Sequence, residues 1–298
     1  MAPMSETLAP SVTSRDPKGL KLVSIVTAAY DKAWLTEEEA QRVNEAGGLA
    51  DLIGKFISDN RSANQFASEE VASTYGYLSG YTKPVAVTDQ VDILRGYWPR
   101  LNPDSVLQYY REVYPSFELP GWVEGPIVAI RTGFFSDNYG EELEEVLKAL
   151  KKARDGELYN CREGQLGAEY LRQSERTQAK LRVLTERQWG SDLLILPAQL
   201  GIRHRGRSVR RARETMSASE FGLGSAITGT AILTNPIRLT QYDDLWIDCA
   251  GDEYSPDADG VFGGAPFVSF DDDEVKFGAD EVEYCDDGYG SASGFLPQ

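Results

Sequence analysis

The chain has 298 residues, 41% hydrophobic and 10% aromatic, with a formal charge of −17. This composition excludes a disordered or fibrous chain and leaves room for one large core or two modest ones. The longest apolar run, Phe221 to Leu233, is too short to cross a bilayer and carries three glycines and two threonines, so no membrane partner is expected. The first residues have neither a basic region nor an apolar one. They predict no secretory signal and a cytoplasmic protein.

Cys161, Cys249 and Cys285 are odd in number and far apart. With no Cys-x-x-Cys pair, a zinc ribbon and a thioredoxin-type motif are excluded, and reduced thiols are expected. The charge is unevenly spread. Gln241 to Gln298 holds 16 acids and one base, Lys276. Asn160 to Arg213 holds 12 bases and 5 acids. A basic middle therefore precedes a strongly acidic end.

In chain order, residues 1–19 read as a polar, disordered arm. Leu20 to Ala29, rich in Val and Ile, predicts a strand. Thr36 and Glu39 form a capping box that opens a helix. Leu49, Leu52, Ile53, Phe56 and Ile57 follow helical spacing and predict a helix with one buried face. Asn64 to Leu78 and Asp89 to Gly96 predict two further helices. Asn102-Pro103 opens another, with Val106, Leu107, Tyr110, Val113 and Tyr114 on one face. Residues 20–118 are thus expected to form a mainly helical part.

Residues 119–298 predict an α+β domain with a basic middle and an acidic end. Ile127 to Phe135 reads as a buried strand. Gly140 to Arg154 reads as a helix, acids first and bases last, matching its dipole. Ala168 to Leu184 predicts a helix whose Arg172, Arg176 and Lys180 form a basic stripe, with Tyr170 and Trp189 nearby for stacking. Asp192 to Leu200 predicts a strand, with Pro197 pointing to a sheet edge. From Ser208 the pattern is helical again. Phe221 to Leu233 is an apolar helix or strand, and Gly222 and Gly224 suit close packing. Leu245 to Cys249 predicts a short strand. Pro266 to Phe270 and Val275 to Phe277 predict a hairpin. The fold class expected is α+β: a helical N-terminal part, then a mixed sheet with helices, closing in antiparallel strands. Leu52, Ile53, Phe56, Leu143, Leu147, Ile195 and Trp246 are expected to be buried.

The phrases Leu200-Gly-Ile-Arg-His-Arg-Gly-Arg-Ser-Val-Arg-Arg-Ala-Arg213, Asp248-Cys-Ala-Gly-Asp-Glu253, Asp257-Ala-Asp-Gly260 and Gly290-Ser-Ala-Ser-Gly-Phe-Leu-Pro-Gln298 resemble those of a family of uncharacterised bacterial proteins. The resemblance covers roughly the last third of the chain. It implies a bacterial origin and no particular activity.

The most anomalous stretch is Arg203 to Arg213, with six arginines, the single histidine, His204, and no acid. Arg203, Arg205 and Arg207 would line one side of an extended chain. Ser208 would cap the following helix, and Arg210 and Arg211 would sit in its first turn, where cations are unfavourable unless an anion is near. Arg203, His204, Arg205, Arg207, Ser208, Arg210 and Arg211 are therefore the expected anion site. Its occupant is an anionic ligand, nucleic acid or the chain's own acidic tail. A binding or interaction protein is the first functional reading. The alternative is a divalent-metal-dependent enzyme acting on a phosphorylated or nucleic-acid substrate, with Asp248, Asp252, Glu253, Asp257 and Asp259 converging on the ion, although the EF-hand spacing fails. With one histidine, any His-based mechanism would use His204, and a Cys249–His204 pair is open to it. No Walker A, Gly-x-Ser-x-Gly or dinucleotide fingerprint occurs, and the cofactor question stays open.

Overall fold

A computed structural model describes residues 17–46, 48–59 and 65–297. The chain divides into two compact units, Met1–Asn60 and Arg61–Gln298. The expected disordered arm lies outside the described residues up to residue 16.

The first unit holds α1 (Pro17–Lys32), α2 (Glu37–Glu45) and α3 (Leu49–Asp59). α1 replaces the strand expected over Leu20 to Ala29. Leu22 and Val26, four apart, are its half-buried positions, so the period is helical despite the β-branched content. The Thr36 hydroxyl accepts from Glu39 N and the Glu39 carboxylate accepts from Thr36 N, which completes the capping box that opens α2. α3 forms where its periodicity placed it, but the expected burial fails. Leu52 is 68% and Phe56 60% exposed, and Ile53 is half-buried. Three short helices supply no core deep enough to cover that face, and none of the unit's described residues is buried.

The second unit begins with a strap. The helix expected over Asn64 to Leu78 does not form; residue 64 lies outside the described residues, residues 65–68 are turns, and the chain then runs extended. The elements that follow are α4 (Val87–Tyr97), α5 (Asp104–Glu112), β1 (Gly125–Ile130), α6 (Tyr139–Ala153), β2 (Leu158–Asn160), β3 (Leu171–Gln173), α7 (Glu175–Arg187), β4 (Leu193–Gln199), α8 (Val209–Thr215), β5 (Glu220–Gly222) and α9 (Ser225–Thr234). The acidic end then forms strands only: β6 (Trp246–Asp248), β7 (Asp252–Tyr254), β8 (Gly264–Asp271), β9 (Glu274–Glu281), β10 (Tyr289–Ser291) and β11 (Ser293–Phe295). The fold is α+β.

One sheet runs β1-β4-β11-β5, antiparallel throughout. The other runs β10-β6-β8-β7-β3, with β9 beside β8 and β2 beside β9; the β10–β6 and β2–β9 pairs are parallel. The last strand, β11, therefore lies inside the first sheet, and the acidic end is framework. α4 packs on β1 and α5 on β4, so both belong with the sheets and not with the first three helices. α9 sits at the centre against α6, β1 and β8, with nine of its ten residues buried.

β4 is interior, not the edge that Pro197 suggested. Arg131 N donates to Asp192 O, so by alternation the opposed prolines Pro126 and Pro197 form a pair that exchanges no hydrogen bonds. The β11 register ends at Ala198, so no ladder partner is lost on that side either. The β8–β9 hairpin turns on Asp272-Asp273, whose φ values of 52° and 63° suit a two-residue turn of type I′. Leu143, Leu147 and Ile195 are buried as expected. Trp246 is half-buried instead, stacked on Phe267 with ring centroids 5.7 Å apart.

Candidate functional site

The arginine segment leaves β4 at Gly201, whose φ of 122° turns the chain into one 3-10 turn over Ile202–His204. The extended run expected through Arg203, Arg205 and Arg207 is thereby broken, and the three side chains diverge. Arg203 Nε donates to Glu220 at 2.8 Å, and its guanidinium lies over the Trp122 ring. Arg205 Nη1 donates to the Tyr75 carbonyl at 2.7 Å. Arg207 Nη2 donates to Glu70 at 2.9 Å.

Ser208 caps α8 as expected, accepting from Arg211 N at 3.1 Å. The anion beside that cap is Glu69. Its carboxylate accepts from Ser208 Oγ at 2.7 Å and from Arg210 Nε and Nη2. Arg211 meets Glu70 at 3.1 Å and Glu214 at 2.9 Å. Glu214 also accepts from the backbone N–H groups of Gln65 and Phe66. The cations of the first turn of α8 are thus compensated from within the chain, chiefly by the strap that precedes α4. Glu283, from the acidic end, adds a long contact of 3.6 Å to Arg210. The acids Asp271 and Asp272 meet Lys276.

His204 is fully buried, and its state follows from its neighbours. Arg207 Nη1 lies 3.2 Å from Nδ1 and can only donate, so Nδ1 carries the lone pair. Nε2–H then donates to Glu220 at 2.8 Å, and the ring is neutral. Burial lowers its pKa, against the pull of Glu220. Burial alone would raise Glu220; the hydrogen bonds of His204, Arg203 and Ser293 outweigh it and hold the carboxyl at about 2. No Cys249–His204 pair forms. Cys249 is buried with its thiol pKa pushed up by desolvation, and all three cysteines are free.

The five acids expected at a metal do not converge, and no metal-holding group of three or more His, Cys, Asp or Glu occurs among the described residues. Strand alternation is one reason: on β7, Asp252 points inward and Glu253 outward. Asp252 accepts from Tyr139 OH at 2.8 Å and from Ser225 N at 2.7 Å, and burial raises its pKa to about 6. Glu253 pairs with Arg172 at 2.8 Å. Asp248 is buried beside Ser291. Asp257 and Asp259 lie on a separate cavity beside Arg162 and Tyr254.

The open basic surface lies elsewhere, where β3 meets α7. The helix predicted over Ala168 to Leu184 begins only at Glu175, because Ser174 caps it by accepting from Thr177 N. Arg172 and Arg176 are therefore on a strand and a helix, on either side of the cap, and the expected stripe is bent into a groove. Two cavities of about 590 and about 570 Å³ meet there and share Arg172, Gln173 and Gln178. The first adds Arg182, Tyr139 and Asp137; the second adds Arg176, Arg213 and the first turn of α7. Gln178 Nε2 donates to the Gln173 carbonyl at 2.7 Å and holds the joint. Arg213 donates to the carbonyls of Ala250 and Asp252. Gly222 lets these backbones close up: a Cβ there would lie 2.3 Å from the Ala250 carbonyl carbon. Gln173 is 8% exposed, and its side-chain Nε2 has no hydrogen-bond partner. The sequence signal for this joint was Ser174 ahead of Glu175, a cap inside a stretch that reads as continuous helix. Gln173 carried no signal.

The chain matches no protein-family model, no curated protein and no solved structure. Among the described residues, no helix is long and apolar enough to cross a membrane.

Proposed function

We propose that this is a binding protein for a small anionic ligand, held in the groove at the β3–α7 joint. The Arg203–Arg213 segment, the first candidate on sequence grounds, acts instead as an internal clamp on the strap. The observation that carries the reading is the Gln173 amide, a buried group lining both cavities, with a donor that nothing in the protein satisfies. Such an orphan is costly, and a ligand oxygen would relieve it. The surroundings favour an anion. Four arginines, Arg172, Arg176, Arg182 and Arg213, line the groove against three acids, Asp137, Glu175 and Glu253, in a chain of charge −17. Arg182 is exposed and makes no ion pair among the described residues. α7 also opens onto the second cavity, where the first N–H groups of a helix lack intrahelical acceptors and favour negative charge.

The cavity volumes suit a small molecule, for which pockets run to roughly 300–1,000 Å³. A long polyanion would meet the field of the acidic strands. A bacterial, cytoplasmic setting belongs to the same reading and accords with three free thiols. The test is thermal stabilisation and calorimetric titration with pyrophosphate and with AMP, without divalent metal. Saturable stabilisation is expected, lost in Gln173→Leu and in Arg182→Ala. No response to either probe, or a response that both variants keep, would sink the groove as the site. Tight binding of a single-stranded oligonucleotide, falling steeply with salt, would transfer the reading to nucleic acid.

A further inference from the structure

The first unit presents the opposite problem: apolar surface with nothing of its own to cover it. Leu20, Val23, Ile25, Leu49 and Leu52 are each at least half exposed. Trp34, at the α1–α2 turn, is 90% exposed. α1, α2 and α3 have 16, 9 and 11 residues. Isolated helices shorter than about 12–15 residues are marginal in water and take their stability from a packed face. Leu20 and Val23 on α1, and Leu49 and Leu52 on α3, stand three apart and share a helix face, and exposed apolar faces of this kind mark sites of interaction.

The charges say what kind of partner fits. α1 carries Lys18, Lys21 and Lys32 with one aspartate, Asp31, while α2 carries Glu37, Glu38, Glu39 and Glu45 with one arginine. Lys21, Lys32, Glu37 and Glu38 make no ion pair among the described residues. One helix is basic, its neighbour is acidic, and both have charge to spare. A second copy of the same chain supplies the complement to both at once, because a two-fold interface that sets α1 against α2 forms the same contact twice. An anionic membrane would accept the lysines and repel the four glutamates of α2.

We infer that α1–α3 form a self-association module through which two copies of the chain dimerise. Their apolar faces are buried together, and Lys21 and Lys32 of one copy face Glu37 and Glu38 of the other. This inference is independent of the groove and of what the groove binds.

The test uses the full chain in light scattering coupled to size exclusion. Wild type is expected at about 66 kDa, twice the 32.9 kDa chain. Leu52→Asp with Val23→Asp is expected at the mass of one chain, with the main thermal transition unchanged. Two charge reversals give the sharper result. Glu37→Lys with Glu38→Lys, and separately Lys21→Glu with Lys32→Glu, should each weaken the dimer at least tenfold. Mixing the two variants should restore it as a heterodimer. These positions are exposed, so loss of fold does not confuse the outcome. A wild-type chain that stays monomeric at about 100 μM, weaker than the roughly micromolar Kd of a modest specific interface, overturns the inference. So does a dimer indifferent to both reversals, or a monomer that instead floats with vesicles of phosphatidylserine.

Discussion

Asp248 shows how a single side chain can set the pH response of this fold. It is buried on β6, and its carboxylate accepts from the Ser291 hydroxyl at 3.4 Å. Desolvation pushes its pKa up to about 7, far above the ordinary range of an aspartate. The same cause raises Asp252 and Glu142 to about 6 each. Between the unfolded and folded values the native state holds protons that the unfolded chain has released. Stability from these groups is therefore full below about pH 4 and is lost as pH rises through 6–7. Glu220 acts in the other direction, as do Glu69, Glu70 and Glu214, all held below the usual carboxylate range. Their contribution is present above about pH 4.5 and falls away in acid. Stability should peak in mildly acidic buffer. Asp248→Asn should match wild type near pH 4 and exceed it at pH 8, by on the order of a few kcal/mol. Calorimetry at the two pH values decides it; an equal offset at both would mean that the carboxyl does not titrate where its burial places it. None of this is legible in the sequence, where Asp248 stands among the five acids expected at a metal. Burial of a polar group is a tertiary fact. The same holds for Arg238, fully buried with its guanidinium 4.0 Å from the Tyr77 ring centroid.

Whole elements were legible when a local signal and the tertiary structure agreed. The Thr36 box, the charge-graded α6 and the paired runs around Asp272-Asp273 carry their own instructions, and each forms. The strap does not, because its conformation is imposed by what it lies against. Val71 N donates to Gly206 O, Ser208 N donates to Glu69 O, and the arginines hold both glutamates. Helical spacing at 64–78 loses to those contacts. The arginine segment stands out in the sequence, and in the fold Arg210 and Arg211 meet carboxylates of the chain itself, Glu69, Glu70 and Glu214. Which anion meets them depends on a strap well over a hundred residues earlier, beyond the reach of local reading. Gly206 is the joint of this clamp. Its φ is +73°, and a Cβ would lie 2.3 Å from the Val71 carbonyl oxygen. Gly206→Ala should destabilise by more than about 1 kcal/mol, since the backbone is strained and the strap must move. Early proteolytic cleavage within residues 65–76 is the expected signature. A variant as stable and as protease-resistant as wild type would show that the strap is not seated on Gly206.

For the molecule as a whole, the charge layout changes meaning once the acidic end is seen to be sheet. Residues 241–298 supply β6 to β11, and β11 lies between β4 and β5, so this stretch is not free to act as a tail. A clasp of basic segment by acidic tail would make salt destabilising, because exposed ion pairs are screened. The observed arrangement predicts the reverse. The arginine–glutamate contacts around α8 include strongly shielded partners: Glu220 is 0% and Glu214 is 5% exposed at the side chain, and screening reaches such groups weakly. Apart from the buried Asp244, Asp248 and Asp252, the acids of the last strands and loops lie at or near the surface with Lys276 as their one base, and repel each other there. Raising salt from 10 to 150 mM shortens the Debye length from roughly 30 to 8 Å and relieves that repulsion while leaving the buried pairs largely intact. The melting temperature should therefore rise with sodium chloride. A relief of about 1 kcal/mol corresponds to roughly 2–4 °C in a domain of this size. Chloride binding in the groove could imitate the effect, so the measurement is repeated with Arg182→Ala, which removes a groove cation and leaves the acidic strands untouched. A rise that survives in the variant assigns the effect to the acidic strands. A fall in melting temperature with salt would mean that exposed ion pairs, and not self-repulsion, dominate the surface.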